Sequence, residues 1–159
     1  MTALSEEHES HIGRVQVSFV LSATDLDPDE VTEMTGLTPD ESAKRGDERR
    51  NYKGQLITPH KEGFWIISSQ GKVESKDIND HFDFLLDILL PHRKTFLQII
   101  DELNGETYFD VLWTSSYLYA GTGPLISRQA LRGISELGAS MGFDIYQDEV
   151  IEKNGASLA

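Results

Sequence analysis

The stretch RVQVSFVLSATDLDPDEVTEMTGLTP, Arg14 to Pro39, changes its period part-way, and that change decides the fold. In its first part Val15, Val17, Phe19 and Leu21 alternate with Gln16 and Ser18, the signature of a half-buried strand. In its second part Asp27 stands where a helix is capped, Pro28 suits the first helical position, and Glu30 completes a capping-box spacing. Leu26 and Val31 have the spacing of a hydrophobic staple. Gly36 ends the helix, and Pro39 forbids its continuation.

The same succession returns near the other end of the chain. TYFDVLWTSS (107–116) alternates Phe109, Val111 and Trp113 with Tyr108, Asp110 and Leu112. ISRQALRGISELG (126–138) reads as a helix capped by Ser127, with Ile126 and Leu131 as a second staple. SMGFDIY (140–146) reads as a strand with Met141, Phe143 and Ile145 inward and Asp144 and Tyr146 outward. Between the two halves, FWIISS (64–69) is apolar on both faces and predicts a central strand. SKDINDHFDFLLDILLP (75–91) carries Ile78, Phe82, Leu85, Leu86 and Leu89 on one helical stripe, and Pro91 opens a further helix that closes at Asn104-Gly105.

Two strand–helix–strand units, Arg14 to about Ser69 and Thr107 to Tyr146, joined by the helices of 77–103, predict an α+β fold. The expectation is one mainly antiparallel sheet with helices on one face, ferredoxin-like in broad plan, with right-handed crossovers where strands run parallel. One domain spans 14–146, with a polar tail at 1–13 and another at 147–159. Residues 40–62 are charged and rich in turn formers, and predict a short hairpin or a surface excursion.

Composition removes several classes of function. No cysteine is present, so disulfides, thiolate catalysis and cysteine-ligated metals are excluded. A formal net charge of −13 repels nucleic acid and anionic membranes. No apolar run approaches the roughly 20 residues that span a bilayer, and the start MTALSEEHESHIG carries acids where a secretory signal carries bases. The expected location is cytoplasmic.

The stretch LDPDEVTEMTGLTP, the Lys44-Arg45-Gly46 step, Trp65 followed by Ser68-Ser69, LLDILLP, LISRQALRGISELG and Asp144-Ile145-Tyr146 occur in an order that resembles a bacterial family, domain of unknown function 4279. The resemblance covers about residues 14–146. It implies a small α+β domain and brings no catalytic residue, cofactor or substrate with it.

Candidate sites follow from residue chemistry. Gly121-Thr122-Gly123 has the look of a phosphate loop but lacks the Lys-Ser/Thr pair that would follow, and reads as a turn before a capped helix. DLDPDE opens like a calcium loop at Asp25, yet has Glu30 where glycine is needed and Gly36 where the bidentate glutamate belongs. None of the five histidines forms a metal-binding motif, and His81 reads as a helix-surface residue. No residue pattern supports a metal or a cofactor. AKRGDERRNYK (43–53) is a basic island in an acidic chain. Lys44, Arg45, Arg49 and Arg50 are candidates for contact with an anion or an acidic partner, or for pairing with nearby acids.

The solvent face of the sheet would gather Gln16, Ser18, Tyr108, Asp110, Asp144 and Tyr146, with Leu112 among them. Its aromatics are of the kind found on RNA-stacking surfaces, but its acids oppose that use. A small polar ligand, a second protomer or water is expected there instead. Two functions follow. One is a non-catalytic module that binds a protein partner or small ligand through the basic loop or the sheet face, immunity-like or accessory by analogy. The other is a small hydrolase in which Asp110 and Asp144, with Tyr146, act as acid and base.

Overall fold

The computed structural model describes residues 11–116 and 123–148. The outer tails and residues 117–122, which include Gly121 and Thr122 of the glycine-rich turn, lie outside the described residues. In chain order the elements are β1 (Ile12–Ala23), α1 (Pro28–Thr35), β2 (Glu41–Ala43), β3 (Arg49–Arg50), β4 (Leu56–Ile57), β5 (Gly63–Ser68), α2 (Ile78–Leu89), a 3-10 turn (Leu90–His92), α3 (Arg93–Leu103), β6 (Glu106–Ser116), α4 (Arg128–Glu136) and β7 (Ser140–Asp148).

One five-stranded sheet has the order β2-β5-β1-β6-β7. All its pairings are antiparallel except β6 with β7, which run parallel. Cross-strand register puts Val17 beside Val111, Phe19 between Ile67 and Phe109, and Leu21 beside Trp65. These side chains are buried and face the helices. Phe96 of α3 meets Phe19 edge-on at 5.1 Å, and Phe82 of α2 meets Phe109 at 5.5 Å. The Trp65 indole donates to Thr32 of α1 at 3.2 Å, and Gly133 of α4 is seated on Leu86 of α2. All four helices therefore cover one face, and the stripe Ile78, Phe82, Leu85, Leu86 and Leu89 is buried throughout.

Local signals act as their chemistry dictates. The Asp27 carboxylate accepts from the Asp29 N–H, and Gly36 closes α1 with φ 71°. Ser127 caps α4 by accepting from Ala130 N at 3.0 Å. Asn79 ties the two helix starts together, donating to Leu125 O at 2.9 Å and accepting from Ser127 N at 2.8 Å.

Four expectations need correction. The two units are not equivalent: β1 and β5 are antiparallel neighbours, while β6 and β7 are parallel across α4. The first unit's long excursion lets its second strand return from the opposite direction. The ordered sheet also exceeds 14–146, because Ile12 is buried beyond an irregularity in the β1–β6 register and β7 runs to Asp148. In α4 the expected staple is half made: Ile126 packs on the core and Leu131 is exposed. Finally, Phe143 and Ile145 share the helix-side face with Val111 and Trp113 but are 44% and 53% exposed, because β7 is the sheet's outermost strand.

Candidate functional site: a cleft between the open sheet face and a hairpin

On the uncovered face the register assembles a transverse row. Tyr108 pairs with Val20, Val20 with Ile66, and Ile66 with Glu41, across β6, β1, β5 and β2. Phe64 and Ser22 form the next row and are themselves paired. Four of these six side chains are apolar or aromatic, on the face that alternation assigns to water.

What shields them is the excursion between β2 and β5. Its hairpin pairs Arg49 with Ile57 and Arg50 with Leu56. Asn51 organises the turn: its side-chain oxygen accepts from Lys53 N at 2.9 Å and Gln55 N at 3.0 Å. Gly54 takes φ 75° there, a conformation glycine adopts without a Cβ penalty. The base of the excursion is closed by Gly46 N to His60 O at 2.8 Å and His60 N to Asp47 O at 3.2 Å. The His60 ring then stands edge-on to Phe64 with centroids 5.0 Å apart.

Between floor and hairpin lies a cleft of about 750 Å³, lined by Val20, Ser22, Phe64, Ile66 and Tyr108 below and by Arg49, Thr58, Pro59, His60, Lys61 and Glu62 around it, with Glu41 at the edge. Its size falls in the range of small-molecule sites, and its floor is largely apolar while its walls and edge are mostly polar and charged. Burial, reinforced by the negative charges of Asp110, Glu106 and Glu62, holds the Tyr108 phenol above its ordinary pKa. It is therefore protonated at neutral pH and available as a hydrogen-bond donor.

The basic island divides. Lys44 pairs with Asp27 at 2.9 Å and with Asp29 at 3.5 Å, and Arg45 pairs with Asp25 at 2.6 Å. The Lys44 contact holds the Asp27 carboxyl below its usual range. Arg50 pairs with Glu48 and donates to Gly54 O at 2.8 Å. Arg49 has no ion pair among the described residues, and it lines the cleft. Of the four candidates the structure brings one to the site and engages three in internal contacts.

The carboxylates lie further along the same face. Asp110 pairs with Gly142 and Asp144 with Leu112, so the two acids are diagonal neighbours on β6 and β7. Partial burial, with the Asp144 charge second, raises the Asp110 pKa. Gln16 shares the row of Leu112 and Asp144, and Tyr146 is exposed one row beyond. None of Gln16, Asp110, Asp144 and Tyr146 lines the cleft. Among the described residues no three His, Asp or Glu side chains converge as a metal site would require.

His81 corrects a further expectation. It is 1% exposed, not a surface residue. Its Nδ1 is 2.7 Å from the Ser69 hydroxyl and its Nε2 is 2.6 Å from Ser75 O. A carbonyl only accepts, so Nε2 carries hydrogen and Nδ1 accepts from Ser69. Ser69 in turn accepts from Val17 N at 2.9 Å. A nucleophile and a base are thus in contact, but both are sealed in the core. The spacing holds a clue, since His81 lies three residues after Ile78 and four before Leu85, on the buried stripe itself.

Across residues 11–148 the chain matches the family model described as Domain of unknown function (DUF4279). It belongs to that family. No curated protein and no solved structure matches the chain. The matched span reaches from the start of β1 to the end of β7, so the whole sheet, the hairpin and the cleft lie inside the DUF4279 domain. No helix among the described residues is long and apolar enough to cross a membrane.

Proposed function

We propose that this DUF4279 domain is a non-catalytic, cytoplasmic binding module that holds a small polar ligand in the cleft between the sheet face and the 44–62 excursion with its hairpin. The observation that carries this reading is the conjunction of a partly apolar, aromatic floor with Arg49, a guanidinium at the cleft wall that has no ion pair among the described residues. Such a guanidinium is free to take a carboxylate in a two-pronged pair, and a ligand anion would supply it. Lys61 adds positive charge and His60 a ring nitrogen that can hydrogen-bond, whereas Glu41 and Glu62 add negative character at the same opening. The ligand class that fits is a compact, partly flat molecule with both an anionic group and a hydrogen-bond donor, on the scale of an amino-acid derivative. The net charge of −13 disfavours nucleic acid and membrane surfaces as alternatives.

The test is an amide NMR screen with aromatic amino-acid and carboxylate fragments. Hits are expected to shift the amides of Arg49, His60, Ile66 and Tyr108 together, and Tyr108→Ala is expected to abolish those shifts while preserving the rest of the spectrum. Hits that leave these four amides unmoved, or that survive Tyr108→Ala, contradict the proposal.

A small hydrolase is the second reading, supported by the raised pKa of Asp110 beside Asp144. Two neighbouring carboxyls, one of them with its proton affinity raised, can divide acid and base roles. Hydrolysis of ester or glycoside substrates that Asp144→Asn removes would favour it over binding alone. Activity indifferent to that change would remove it.

A further inference from the structure

The two edges of the sheet are defended differently. At one edge β2 is only three residues long, and brevity is itself protection against unwanted pairing. At the other edge β7 runs for nine residues, in unbroken register with β6 and with no strand on its outer side among the described residues. It contains no Lys, no Pro and no bulge, the usual guards of such an edge. Its side chains include Phe143, Ile145 and Tyr146, all largely exposed.

We infer that β7 pairs antiparallel with β7 of a second copy of this chain, about a two-fold axis through Phe143 and normal to the sheet. Such an axis keeps helix-side residues on the helix side, so only residues of the same parity become partners. Three registers then compete near the middle of the strand. Centring on Asp144 places two carboxylates directly opposite each other, which is destabilising. Centring on Ile145 sets Phe143 against Gln147 and leaves its ring without an apolar partner. Centring on Phe143 joins Phe143 to its own copy, Met141 to Ile145, Asp144 to Gly142 and Tyr146 to Ser140, so Met141, Phe143 and Ile145 all meet apolar side chains and the acid meets open space. Nothing lies within 4 Å of where a Gly142 Cβ would stand. Asp144 does not defend the edge; it selects the register.

Pairing of residues 140–146 alone is a small interface, so the dimer is of micromolar rather than nanomolar strength. The net charge of −13 on each copy opposes it, and added salt strengthens it by screening that repulsion. The cleft lies toward the β2 edge and is untouched, so this inference and the ligand proposal stand or fall separately.

The absence of cysteine makes single-cysteine variants clean reporters. Phe143→Cys is expected to form a disulfide with its copy under mild oxidation, since directly opposed residues have Cα atoms about 4.5–5.5 Å apart. Met141→Cys and Ile145→Cys are expected to crosslink far less. Sedimentation at about 100 µM, enough to populate a dimer of micromolar Kd, is expected to find dimers that increase with salt and vanish in Ile145→Lys. Both Phe143 and Ile145 are exposed, so the fold survives these changes. A monomer at this concentration, crosslinking centred on Ile145, or dimers unaffected by Ile145→Lys would each overturn the inference.

Discussion

The Ser69 hydroxyl stands 2.7 Å from Nδ1 of His81, and both side chains are sealed from solvent. Through this contact the end of β5, the first strand and helix α2 share one polar chain: Val17 N–H to Ser69, Ser69 to His81, His81 to Ser75 O. Because all of its members are satisfied, the network stabilises the core; broken, it leaves buried polar groups without partners.

Ser69→Ala removes the acceptor of Val17 N–H and the donor to His81. Loss of a buried partner costs about 1–3 kcal/mol, so the urea midpoint falls measurably. His81→Leu, which cannot serve either neighbour, falls in the same range. The double variant is expected to lose less than the sum of the two, since both act on one chain of bonds.

Gly63 is the second point of sensitivity. A Cβ there would collide with the Leu26 carbonyl and lie 2.9 Å from the Leu26 side chain. The obstruction is backbone and does not rotate away. Gly63→Ala is expected to destabilise by about 1–3 kcal/mol, the scale of overpacking, whereas Gly123→Ala, which meets nothing, leaves the melting temperature nearly unchanged.

Asp110 supplies a pH signature. Its folded pKa is raised, first by burial and then by Asp144, so folding disfavours its charged form. The favourable contribution is present below the ordinary carboxylate pKa and is lost as pH rises through the folded value. Asp110→Asn is therefore expected to raise stability at neutral pH, within about 0.5 kcal/mol for a surface position. That advantage shrinks to nothing as the pH is lowered toward the carboxylate range. A gain that grows on acidification would contradict the assignment.

Much of this architecture is legible in the sequence because it depends on local chemistry. The alternation around Val17 and Phe19, the stripe from Ile78 to Leu89, and the caps at Asp27 and Ser127 all act over a few residues. The parallel pairing of β7 and the antiparallel return of β5 depend instead on where a long excursion goes, which no local pattern states. The cleft is half visible. Tyr108 and Arg49 are recognisable as candidates by type and place, and FWIISS, apolar on both faces, hints that one end of the open face is greasy. Val20 is easily missed inside its alternating strand, although an apolar residue on the face of β1 that carries Gln16 and Ser18 breaks the pattern at the floor of the site. His60 and Pro59 join the cleft only through tertiary closure at Gly46 and Asp47. Phe143 and Ile145 have inward parity, but an edge strand lacks the neighbour that would bury them.

The central claim is that the hairpin serves ligand binding and not folding, and excision tests it most directly. The residues from Arg49 to Ile57 are nearly all solvent-exposed, and the antiparallel pairing holds their ends together, so a short Gly-Ser link from Glu48 to Thr58 can replace them. The account predicts a melting temperature within a few degrees of the parent, about the change expected for 1 kcal/mol or less, together with at least about a tenfold loss of affinity for cleft-binding fragments, equivalent to 1.4 kcal/mol. Unaltered fragment affinity in the excised domain, with the fold intact, would contradict it.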